Sequence, residues 1–208
     1  MTLSPRKLAA AFVLGLTFVA AGCSVLRREY PERQQFVLEV TPPQTSDPPV
    51  DGPVLGVSRF RTSPLLSGTS FVYRTGDQTF ESDFYNVFWT PPAAMVANET
   101  GKWLRASGIF SDVVDPTSVT PRDYALEGAI AELYGDYRDP GQPAAVMGLR
   151  FALMDVQGKE PKVLFHKDYS VSRPIAAGTP SALAAGWNAE LGEILTELET
   201  DVRATVRR

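Results

Sequence analysis

The sequence predicts an α+β fold: a single domain with a largely antiparallel sheet and two helices packed on it. Three observations lead there. Met147, Leu149, Phe151 and Leu153 alternate with Gly148, Arg150 and Ala152, the period-two pattern of a strand with one face on a core. Leu183, Trp187, Leu191, Ile194, Leu195, Leu198, Val202 and Val206 recur at helical spacing and form one apolar stripe. The runs also fall in the order strands, helix, strands, helix, without the regular alternation that builds a parallel sheet.

The first stretch reads as an export signal rather than part of the fold, with a permanent N-terminal anchor as the alternative. Arg6 and Lys7 precede an apolar run from Leu8 to Ala21, and small residues lead into Cys23. Fourteen residues at ~1.5 Å each give roughly 21 Å of helix, short of the ~30 Å hydrocarbon core, so residues 1–22 read as a cleaved signal. Residues 23–34 then read as a tether, and 35–208 as the folded domain. Cys23 is the only cysteine, which rules out an internal disulfide.

Two of the 20 basic residues, Arg6 and Lys7, lie in the signal; the remainder is 18 basic against 24 acidic side chains. That balance provides no basic footprint for nucleic acid or for electrostatic capture by anionic lipid.

Within the domain, Gln35 to Val40 reads as a first strand, and the five prolines of TPPQTSDPPVDGP mark a loop. Extended runs follow at Val54 to Arg61, Phe71 to Thr75 and Phe80 to Trp89, with TGDQ as the turn between the last two. Pro91 and Pro92 open a helix that Gly108 stops; Gly101 inside it costs roughly 1 kcal/mol relative to alanine. A short strand in IFSDVVD precedes three longer ones, Tyr124 to Tyr137, Ala145 to Val156 and Lys162 to Val171, joined by turns short enough for hairpins. Thr179 and Pro180 provide a cap and first-turn proline for the closing helix.

Motifs that carry chemistry are scarce. His166, the only histidine, falls on the polar register of VLFHKDYSV with Asp168 and Ser170, opposite Val163, Phe165 and Tyr169, which predicts a solvated strand face. The acid pairs Glu81 and Asp83, and Asp136 and Asp139, sit near turns, and spacing alone tunes no pKa. Neither a phosphate-cradling glycine loop nor a nucleophile elbow is present, and one histidine with one cysteine cannot assemble the usual zinc sets. The expectation is no enzyme, no metal and no cofactor.

The stretch SFVYRTGDQTFESDFYNVFWTPP holds seven of the chain's 21 aromatic residues. Strict alternation puts Phe80, Phe84 and Phe88 on one face, assigned to the core, and Tyr85, Val87 and Trp89 on the other. Tyr85 and Trp89, with Tyr73 and Arg74 extending the same surface, are the expected interface residues, since rigid amphipathic rings suit protein contacts.

Val19 to Cys23 resembles the lipobox of bacterial lipoproteins. That resemblance implies cleavage after Gly22, diacylglyceryl transfer to the Cys23 thiol and acylation of the new amino terminus; Ser24, by the sorting rule of many Gram-negative bacteria, implies the periplasmic face of the outer membrane. The aromatic motif, WLRASGIFSDVVD, YALEGAIAELYGDY and ALAAGWNAELGEIL, in that order from about Phe36 to Val202, resemble the ABC-type transport auxiliary lipoproteins, the PqiC-like group. What the resemblance implies is a noncatalytic accessory of an MCE-type lipid transport system, with an MCE-domain protein and an ABC permease and ATPase as partners and self-association into a ring as a further expectation. A lipoprotein that scaffolds or activates a periplasmic cell-wall enzyme is the alternative, and a lipid-anchored hydrolase fits poorly.

Overall fold

The computed structural model describes residues 32–42 and 45–206. The expected signal at residues 1–22, the expected cleavage position after Gly22, Cys23, Ser24 and most of the expected tether lie outside the described residues. In chain order the elements are β1 (Gln34–Phe36), β2 (Val54–Val57), β3 (Arg61–Thr62), one 3-10 turn (Pro64–Leu66), β4 (Ser70–Arg74), β5 (Phe80–Phe88), α1 (Pro92–Ala106), β6 (Asp112–Val114), β7 (Tyr124–Asp136), β8 (Ala144–Asp155), β9 (Lys162–Pro174) and α2 (Pro180–Val206).

β7, β8 and β9 form an antiparallel meander, paired almost end to end. Ala145, Met147, Leu149, Phe151 and Leu153 of β8 are buried as their alternation predicts, while Arg150 between them is exposed. The stripe of α2 closes over that face, and Trp187 is its centre. Its ring lies 4.8 Å from that of Phe71 and 5.3 Å from that of Phe88, and its Nε1 donates to the carbonyl of Tyr134 at 3.3 Å. Trp187 therefore joins β4, β5 and β7 to one helix. At the start of the helix, the Ala182 amide donates to Thr179 Oγ1, the expected cap.

The class is α+β as predicted, and the sheet is mixed. The free edge of β7 is lined in succession by β2, β3 and β4, all parallel to it. β6 runs parallel to β2, and β1 parallel to β5. Each short strand leaves the edge of β7 and the chain rejoins it further along, so partners lie some 70 residues apart and no hairpin links them.

Residues Leu38 to Val40 do not continue the β1 ladder, although the sequence reads as strand through Val40. Their amides are taken by helix side chains instead: Leu38 by Met95 Sδ, Glu39 by Asn188 Oδ1 and Val40 by Glu99 Oε2. With Leu38 buried, this segment is a strap held to α1 and α2. Further on, Ser46 N–H donates to the carbonyl of Ala106, at the C-terminal end of α1. There Gly108, at φ +65°, turns the chain in the left-handed region, as the stop signal requires. α2 holds the same end: Trp103 Nε1 donates to Glu199 at 2.9 Å, and Arg203 bridges Glu199 and the Ser107 carbonyl.

Candidate interaction surface

The aromatic stretch departs from regular pairing at one place. Ser70 pairs with Val87 but Val72 pairs with Ser82, so a two-residue step on β4 faces a five-residue step on β5. Three extra residues are pushed out of the ladder as one large bulge. The Asp83 carboxylate holds its shape: it accepts hydrogen bonds from the Tyr85 amide at 2.7 Å, the Asn86 amide at 3.0 Å, Asn86 Nδ2 at 2.7 Å and the Tyr73 hydroxyl at 2.7 Å. Burial alone would raise the pKa of this carboxyl; the four donors outweigh it and hold the group below the ordinary carboxylate range.

The bulge corrects the strand-face assignment. An odd number of extra residues reverses the alternation across the bulge, so Phe88 beyond it is core while Phe80 before it is not, and Phe84, within the bulge itself, is 77% exposed. Phe80 lies edge-on to Tyr134 with the Arg74 guanidinium over its ring. Val87, expected on the outer face, is buried.

The four expected interface residues do not form one surface. Tyr73 points to the α2 side, its ring edge-on to Tyr137 and its hydroxyl given to Asp83; burial, and then the Asp83 hydrogen bond and charge, push the phenol pKa far up. Arg74 points the other way, over Phe80 and Tyr134, and donates to the carbonyls of Gly76 and Asp77. Tyr85 is half-buried, its ring edge-on to Phe84. Trp89 alone is a large open surface, 64% exposed, with Val37 beside it in a shallow depression bordered by Met95 and Lys102. Asp83, which the sequence offers only as one of an acid pair, and Phe84, assigned there to the core, are the residues whose roles sequence reasoning missed. An aspartate two residues before an amide it can cap is an Asx-turn signal, and DFYN carries it.

A cleft of about 500 Å³ runs along the other side of α1. Ala94, Ala97 and Gly101 of the helix face Val57, Phe60 and Val114 across it. Nothing within 4 Å would obstruct a methyl group on Gly101, so packing inside the chain does not require glycine there.

The acid and histidine positions have structural partners. His166 is exposed on β9 level with Ala152, and Asp168 next to it on that face binds Arg150 at 2.6 Å. Val163 is exposed as well, because the β8–β9 register slips between Leu153 and Met154 and leaves Leu164 as the extra residue. Glu81 accepts from Thr75 while Asp136 is bound by Arg138 and Asp139 caps its own turn. Among the described residues no group of three or more His, Cys, Asp or Glu is placed to hold a metal, and no helix is long and apolar enough to cross a membrane.

Glu190 on α2 is different. It is fully buried and neither carboxylate oxygen has a hydrogen-bond partner. Desolvation pushes its pKa up to about 8, against the weaker pull of the Arg173 guanidinium and of the Arg173 backbone amide, which stands outside hydrogen-bond geometry.

No protein-family model matches the chain, and no curated protein matches it. Solved structures do share its fold. Protein XCC0632 from Xanthomonas campestris, of the DUF330 family, is 18% identical with a TM-score of 0.74, covering 84% of this chain and 97% of its own. A second structure, of an uncharacterized protein, is 17% identical with a TM-score of 0.58, covering 80% and 99%. The hypothetical protein CT253 from Chlamydia trachomatis is 13% identical with a TM-score of 0.50, covering 74% and 98%. At these identities the likeness is one of fold.

Proposed function

We propose that this chain is an outer-membrane lipoprotein, acylated on Cys23 and facing the periplasm, that serves as a noncatalytic accessory of an MCE-type ABC lipid transport system. In this reading the domain docks the periplasmic MCE component and helps lipid pass between membranes. The observation that carries it is the fate of the aromatic motif on which the family resemblance rests. Phe71 and Phe88 go to the core, while Trp89 stays on the surface with its ring open and Val37 beside it. A large exposed tryptophan next to an aliphatic residue has the character of an interface anchor. The acid pairs of the sequence, by contrast, are engaged in turns, hydrogen bonds and ion pairs: Glu81 with Thr75, Asp83 with its bulge, Asp136 with Arg138 and Asp139 with its own turn, which supports a binding role over a chemical one.

Capture from native membranes tests the reading. Full-length lipidated protein should co-purify MCE and permease subunits, and Trp89→Ala should cut that recovery about tenfold, equivalent to ~1.4 kcal/mol, with an unchanged melting temperature. Recovery of a cell-wall synthase in their place would favour the scaffold alternative. Deletion of the gene should alter envelope lipid distribution and detergent sensitivity.

A further inference from the structure

The Phe84 bulge lies where the chain enters the domain. β1 pairs in parallel with the last residues of β5, Gln34 opposite Asn86, so the segment ahead of Gln34 leaves the domain beside the bulge. Ten residues lie between Cys23 and Gln34, eleven steps along the chain with a reach of at most ~39 Å when fully extended.

The bulge is a built loop with an apolar tip. Asp83 fixes its backbone by accepting the Tyr85 and Asn86 amides, so two donors that a protruding loop would otherwise expose are already satisfied. Phe84 is left outermost, and the Tyr85 ring supports it edge-on at 5.2 Å. An aromatic tip with its neighbouring amides satisfied can enter an apolar boundary without stripping water from unpaired groups. A phenylalanine with a tyrosine behind it also matches the chemistry of the headgroup and acyl boundary, where amphipathic rings concentrate. Glu32 and Arg33, just ahead of β1, offset each other in charge, and Glu81 on the near side of the bulge is held by Thr75.

We infer that Phe84, presented by the Asp83-locked bulge beside the tether, inserts into the lipid surface and sets how the domain stands on its membrane. This rests on the reading that Cys23 carries the acyl anchor. A single ring on a narrow loop offers far less than the ~800 Å² per partner of a stable protein interface. It suffices for a domain that acyl chains already hold at the surface, because there the ring need only choose an orientation.

The test uses the full lipidated chain in vesicles of phosphatidylethanolamine and phosphatidylglycerol. Acylation of Cys23 leaves an introduced cysteine as the sole free thiol, so Phe84→Cys, Val119→Cys and Val163→Cys can each carry one nitroxide label. Val119 and Val163 are exposed positions away from the bulge. The expected result is a several-fold gain in accessibility to oxygen over a water-soluble nickel chelate at position 84 on reconstitution, with positions 119 and 163 remaining aqueous. A label at 84 that stays aqueous in vesicle-bound protein overturns the inference and leaves the lipoprotein reading standing. Protection at 84 that disappears when the protein is diluted in excess lipid also overturns it, since a second copy then covers the bulge. Failure of the unlabelled wild-type protein to sediment with vesicles overturns the anchor itself, and the inference with it.

Discussion

Tyr73 and Asp83 stand ten residues apart in the chain, and the hydroxyl of one donates to the carboxylate of the other at 2.7 Å across the base of the β5 bulge. One bond thereby ties β4 to the loop that interrupts its partner strand. The same carboxylate holds two backbone amides and the Asn86 side chain, so the shape of the bulge depends on a single residue.

Replacing Asp83 should therefore unlock the bulge. Asp83→Ala leaves a half-buried phenol and two amides without their acceptor, and should cost about 2 kcal/mol in urea unfolding. Asp83→Asn should cost less and change the acid response. With the folded pKa held below the ordinary value, the carboxylate's contribution is complete above about pH 4 and fades as pH falls through the lower folded value. The asparagine variant should lack that part of the acid loss, which a pH series of unfolding midpoints would measure.

Glu190 has the opposite sign. Its folded pKa of about 8 lies above the unfolded one, so the folded state retains a proton that the unfolded state releases. Stability should fall as pH rises from about 4.5 towards 8 and level off beyond. Glu190→Gln should flatten that slope. Glu190→Leu should do the same and raise stability at neutral pH by about 1–2 kcal/mol, because an unpaired buried polar group is removed. Unfolding midpoints at pH 5 and pH 8 decide the matter; equal slopes in variant and wild type would count against it.

The clamp between the helices has its own signature. Glu199 accepts Trp103 Nε1 through one oxygen and Arg203 through the other. Glu199→Ala should destabilise by roughly 1–3 kcal/mol and leave the buried indole unpaired. Glu199→Gln should recover part of this, with the shift read from tryptophan fluorescence during unfolding.

Gly108→Ala combines two penalties. The residue sits at φ +65°, and a new Cβ would lie 2.7 Å from that of Ser46. A loss of at least about 1 kcal/mol is expected, together with faster amide exchange at Ser46, whose N–H now donates to Ala106.

How far these features can be read from sequence depends on whether their causes are local. The faces of β8 and the stripe of α2 follow from periodicity, and Thr179–Pro180 and Gly108 mark helix ends by rules that act within a few residues. β5 defeats the same reasoning because an odd-numbered bulge inverts which side chains are inside. The cause of that bulge, the Tyr73–Asp83 bond and its two amides, is visible only as a faint Asx-turn pattern in DFYN. Parallel pairing of β2, β3 and β4 along β7 leaves no signature in neighbouring residues. The strap at Leu38 to Val40 looks like a strand because both need extended backbone; only Met95, Asn188 and Glu99 reveal that its amides go to helices.

That strap also gives the domain a mechanical character. A pull on the segment ahead of Gln34 acts along β1, whose ladder with β5 runs parallel to the line of force, and the bonds in that ladder share the load in shear instead of opening one after another. Behind them the Leu38, Glu39 and Val40 amides are fastened to both helices, so tension passes into α1 and α2 rather than into the loop that follows. A domain pulled from the residues ahead of Gln34 would resist at its helix pair, with the β5 bulge at the point where the force arrives.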